Sequence, residues 1–190
     1  MWRALLAALF VGSLSFGLVG CGEDTKEKEA LKEKEALTEK EASTEDKLIR
    51  NRNNLNQISK GCFVYLNEYG DNRWYPKSLG ELFDKKVIED KAVFVSPLDD
   101  DPPKLANGLP CSYVSCFDKY PNHHFRDDFP PDMLLAWDRK PFVEGKRHLL
   151  FMDSHCEYVD EALFQKELQK LDGEVQRAMG AQPADKGDKP

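Results

Sequence analysis

Residues whose types could do chemistry are few and spread along the chain. His123-His124, Asp127-Asp128, His148, Asp153 and His155 combine imidazoles with carboxylates, the donors that hold zinc or a similar divalent ion. Asp153 and His155 also flank a short polar break between two apolar runs, where a tight turn uses Asp for its local hydrogen bonds. Asp99-Asp100-Asp101 offers oxygen ligands of the kind calcium takes, and it reads more simply as a solvated acidic loop. Nucleophilic catalysis has no Gly-x-Ser-x-Gly or papain-like cysteine context to support it. These patterns predict a chain that is not an enzyme and uses no metal and no cofactor.

The five cysteines divide into two groups. Cys21 ends a leader in which Arg3 precedes the apolar run Ala4 to Val19, too short for a comfortable membrane span, with a small residue before the cysteine. Cys62, Cys111, Cys116 and Cys156 remain, an even number that can form two disulfides in an exported chain, with three connectivities open. Cys62 falls on an apolar helix face and reads equally well as a small buried residue. With no Cys-x-x-Cys pair, a thiolate metal site is not expected.

Leu18-Val19-Gly20-Cys21 resembles a bacterial lipobox at every position. The resemblance implies removal of residues 1–20, a diacylated Cys21 thiol and an acylated new amino terminus, and two or more acyl chains hold a protein stably on a bilayer. Gly22 stands where Asp would favour inner-membrane retention, so the implied location is the cell envelope, at the outer membrane, facing the periplasm or the cell surface. A net charge of −7 gives no basic footprint, which argues against nucleic acid as a partner.

The elements that must position these residues follow in order. Residues 21–46 form a charged spacer with the repeat KEKEAL, KEKEAL, TEKEAS, TEDKLI. A six-residue period turns the apolar pairs about 120° per repeat, so no continuous stripe forms and a coiled coil is disfavoured. Glu, Lys, Ala and Leu still favour a semi-rigid helical tether. A globular domain over 47–172 begins with an amphipathic helix presenting Leu48, Leu55, Ile58, Cys62, Tyr65, Leu66 and Tyr69 on one face, opposite Arg50, Asn53, Gln57, Lys60 and Glu68. Gly70, Asp71-Asn72 and Tyr75-Pro76 end it, and Ser78 with Glu81 has capping-box spacing for a short second helix. Extended structure is expected at Ala92 to Val95, and strands at 111–117, 133–137, 148–152 and 155–159, the last two joined by a two-residue hairpin at Asp153-Ser154. Asp160 can cap a C-terminal helix carrying Leu163, Phe164, Leu168 and Leu171, and 173–190 reads as a disordered tail. The class is α+β, a long N-terminal amphipathic helix on a small antiparallel sheet with a C-terminal helix.

This order is similar to the periplasmic part of type II secretion pseudopilins, and to pilin-like envelope proteins whose sheet ends in a Phe-x-Asp-Gly-His-Val-Glu hairpin. The matching residues are Asn54, Leu55, Gln57 and Ile58, then Tyr69, Asp71, Tyr75, Pro76, Ser78, Leu79 and Leu82, then Pro97, Ser112-Tyr113 and Phe151 to Glu157. The likeness spans about residues 47–160. The chain departs from that class in its lipobox and charged repeat, which replace a prepilin leader and a filament-forming apolar helix. It also carries Ser154 at the hairpin glycine, and Val143 where the class often has His. The resemblance implies a pilin-like head on a lipid anchor, a structural or binding module attached to the membrane whose partner is another envelope or secretion-system protein. The rival expectations are a metal-dependent envelope hydrolase and a surface ligand-binding sensor.

Overall fold

The computed structural model describes residues 24–180. The lipobox and Cys21 lie outside the described residues, as do residues 181–190 of the expected tail. Contacts divide the chain into two units, 1–41 and 42–190; the described part of the first consists of the leading turns of helix α1. No helix among the described residues is long and apolar enough to cross a membrane.

Helix α1, Asp24–Glu68, includes the charged repeat and the amphipathic segment, so the expected boundary at 46/47 falls within one element. Leu55, Ile58, Cys62, Tyr65 and Leu66 are buried as the 3.6-residue period requires, whereas Tyr69 is exposed and lays its hydroxyl against the Lys85 carbonyl. The helix ends where Leu66 and Trp74 crowd Gly70, since a Cβ there would sit 2.0 Å from the Trp74 carbonyl oxygen. Asp71 and Asn72 follow with φ of 52° and 55°. Helix α2, Leu79–Asp84, is capped by Ser78, whose hydroxyl accepts from the Glu81 amide. Glu81 in turn accepts from the Lys77 amide and the Tyr65 hydroxyl, tying α2 to α1.

Ala92 to Val95 departs from the extended reading. Asp90 caps a 3₁₀ turn, Lys91–Phe94, that drops Val93 and Phe94 into the core. The four-stranded antiparallel sheet has the order β1, β2, β3, β4, with β1 Tyr113–Ser115, β2 Leu134–Asp138, β3 Lys146–Phe151 and β4 Cys156–Asp160. Strand β1 is shorter than the apolar run 111–117 because Ser115 and Asp118 form a capping box that starts helix α3, Cys116–Lys119.

The hairpin has three loop residues, not two. The Phe151 amide donates to the His155 carbonyl while the Ser154 amide donates to Phe151, which places Ser154 in the left-handed region at φ 75°. Helix α4 is Glu161–Gly180, so the expected disordered tail is helical as far as 180. The physical reason is the continued stripe Phe164, Leu171 and Val175, all buried, which outweighs the weak helix preference of Gly173. Side chains alternate across the sheet: Trp137 meets Phe164 of α4 at 6.0 Å, while its neighbour Asp138 meets Asn51 of α1. Helices therefore cover both faces of the sheet, and the α+β class is as expected.

Candidate functional site

A polar row crosses the sheet at the end nearest the start of the head. Tyr113 pairs with Asp138 across β1 and β2, the His148 amide on β3 donates to Asp138 Oδ2 at 2.7 Å, and His148 pairs with Tyr158 on β4 with rings 4.7 Å apart. Asn51, one turn before Leu55 on the apolar face of α1, closes this row from above. Its Nδ2 donates to Asp138 Oδ1 at 2.8 Å and Oδ2 at 3.0 Å and lies 2.9 Å from His148 Nδ1, while its Oδ1 accepts from the Tyr113 hydroxyl at 2.7 Å. Asn51 and Asp138 are fully buried and His148 nearly so. Each polar group thus has the partner that a buried site demands, and the network fixes where α1 crosses the sheet.

Beside this row lies a cleft of about 180 Å³, lined by Glu45, Leu48, Ile49 and Arg52 of α1 and by His148, Cys156 and Tyr158 of the sheet. Burial pushes the Cys156 thiol up to about 12, and the charge of Asp138 adds to that effect while Arg52 opposes it. The thiol is therefore protonated at neutral pH and is a poor nucleophile, even with an Asp-linked histidine lining the same cleft.

The other candidates fall elsewhere. His123 and His124 sit in a loop over the core, where His123 meets Phe125 and Phe129 edge-on at 4.8 and 5.5 Å and His124 stacks on Trp74 at 4.4 Å. Burial lowers the pKa of His123, with His124 contributing. Tyr75 and Phe125, which these two histidines contact, are core residues. His155 stacks on Phe151 at 4.1 Å and bonds Asp153 within the hairpin. No cluster of three metal-ligating side chains occurs among the described residues, so the histidines and carboxylates named from the sequence are not brought to one centre.

Asp99 is not solvated. Its carboxylate is buried against Lys140 at 2.8 Å and Arg139 at 3.1 Å. Burial alone would raise its pKa, but the contacts from Lys140 and Arg139 outweigh that and hold it below the ordinary value.

Cys62, Cys111, Cys116 and Cys156 are all free thiols, the first three buried. Cys111 is pushed up to about 12 by burial, and Cys62 and Cys116 are raised by the same cause. Here all four act as small core or cleft-lining residues.

Of the central network, the sequence singled out His148, as a metal candidate, and Tyr113, as part of the pseudopilin likeness. Two signals pointed to the rest: an amide, Asn51, inside an apolar helical stripe, and a carboxylate, Asp138, ending the wholly buried strand LLAWD. Comparison with protein-family models, with curated proteins and with solved structures found no match for this chain.

Proposed function

We propose that this chain is a non-enzymatic envelope lipoprotein, lipidated at Cys21, whose pilin-like head docks to another envelope component, with a secretion-system protein as the leading candidate. The observation that supports it most is the disposition of α1 in the head. One face carries the core, and the other leaves Ile49, Phe63 and Val64 exposed, apolar surface of the kind that partners cover. A shallow groove runs beside that face, between Asn53, Gln57 and Lys60 of α1 and the segment Val87 to Pro97. The protonated Cys156 thiol and the dispersed histidines weigh against the hydrolase alternative.

In-cell photocrosslinking tests this directly. A photoreactive residue at Val64 is expected to capture one envelope protein, and the same residue at Lys166 on α4 is expected to capture none. Failure to crosslink from the α1 face, together with a measured hydrolytic turnover of the purified chain, would overturn the proposal.

A further inference from the structure

The cleft beside the polar row is lined by a histidine with one ring nitrogen left over. His148 is 4% exposed, and its Nδ1 is occupied by the Asn51 and Asp138 contacts at 2.9 and 3.2 Å. The 2.9 Å approach of Asn51 Nδ2, itself a donor, is a good hydrogen bond only when Nδ1 carries a lone pair, which puts the ring proton on Nε2. In the imidazolium form Nε2 carries a proton as well. No side chain or carbonyl among the described residues accepts that proton, and the ring lines the cleft. An N–H that opens into a cleft without a protein acceptor is available to a ligand that can accept it.

The remaining lining says what would. Arg52 has no hydrogen bond or ion pair among the described residues, and it lies close enough to Cys156 for its charge to act on that thiol. Leu48, Ile49 and the Tyr158 ring make the walls apolar. Glu45, two turns before Arg52 and about 10 Å along the helix, sets a negative charge at the other end. One cation and one neutral donor at one end, apolar walls between, and a carboxylate at the far end suit a monoanion with a short apolar tail and disfavour a dianion such as phosphate. The small volume excludes drug-sized ligands.

We propose that this cleft binds a short-chain monocarboxylate, its carboxylate held by Arg52 and by the N–H of His148 Nε2 and its tail against Leu48, Ile49 and Tyr158. Asn51 and Asp138 act as positioning residues that fix the imidazole. The inference does not depend on the docking proposal: the two surfaces share Ile49, but Arg52, His148 and Tyr158 belong to the cleft alone.

The test is a titration of the full chain in detergent micelles with butyrate, at ionic strength matched by chloride, read from the ring nitrogens of His148 by ¹⁵N NMR. A saturable shift with a dissociation constant on the order of millimolar is expected, as befits so small a ligand. Butyramide, the neutral isostere, is expected to bind at least about tenfold more weakly, and Arg52→Gln to weaken butyrate by a similar factor, because each removes a charge-assisted hydrogen bond. Arg52 is exposed, so this variant is expected to fold with an unchanged thermal midpoint. Lys166→Gln, which removes a charge on α4, is expected to leave the titration unaltered. A shift that never saturates, equal binding of butyramide, or an indifferent Arg52→Gln would overturn the proposal.

Discussion

Asn51 is the residue on which most of the head's internal order converges. Its single amide serves Tyr113, Asp138 and His148, which belong to three different strands. Replacing it with Ala would leave a buried carboxylate and a buried hydroxyl short of partners, and such orphaned groups cost more than the bond itself contributes. Asn51→Ala is expected to destabilise the head by about 2–4 kcal/mol in denaturant unfolding, whereas Asn53→Ala, on the exposed face, is expected to change it by less than about 0.5 kcal/mol.

Asp99 supplies a second expectation at this scale. Its folded pKa lies below the ordinary 3.8, so folding is favoured by its ionisation. That contribution is fully present above the unfolded value and is lost as pH falls below 3.8 through the folded one. Asp99→Asn is expected to flatten the acid limb of a stability-against-pH curve, and an unchanged limb would show that the Arg139 and Lys140 pairs do not matter.

Elements show where local rules and tertiary packing agree or part. The hairpin between β3 and β4 puts Ser154 in the left-handed region, which costs a non-glycine residue about 1–2 kcal/mol, and holds it by a 2.8 Å bond from the Ser59 hydroxyl of α1. Ser154→Gly relieves the strain but loses that bond, so the single change is expected to be close to neutral. In a Ser59→Ala background, where the bond is already gone, it is expected to stabilise by about 1 kcal/mol. A thermal-melt series on the four chains checks this.

Helix α4 makes the complementary point. Val175 is 1% exposed, two residues beyond the Gly173 at which composition suggested that order ends. Val175→Ala is expected to cost about 1–2 kcal/mol, measured by denaturant unfolding. An unaffected midpoint would mean that the last turns of α4 do not pack.

Legibility followed the same divide. Periodicity located the buried face of α1, and capping chemistry located α2, because both are properties of neighbours along the chain. The 3₁₀ turn at Lys91–Phe94 and the helical start at Cys116 were hidden behind apolar runs whose local pattern fits a strand equally well. Asp99 read as a solvated loop residue because its partners, Arg139 and Lys140, are some forty positions away. That the polar row comes together was hidden for the same reason, since only antiparallel register brings Tyr113, Asp138, His148 and Tyr158 side by side.

For the whole molecule, the described residues form a head with helices on both sheet faces, and a long charged helical segment precedes it in the chain. On our proposal that segment joins the head to an acylated Cys21 and keeps it tethered at a membrane. A tether of this kind suits a docking module, since confinement at the membrane raises the effective concentration of the head near envelope partners.

The most direct measurement is the intact mass of the chain purified from bacterial cells, alongside metabolic labelling with an alkyne fatty acid. The account predicts a chain that begins at Cys21, carries acyl mass, and loses both label and membrane association in Cys21→Ala. A chain that keeps residues 1–20, or one cleaved there without acylation, would contradict it.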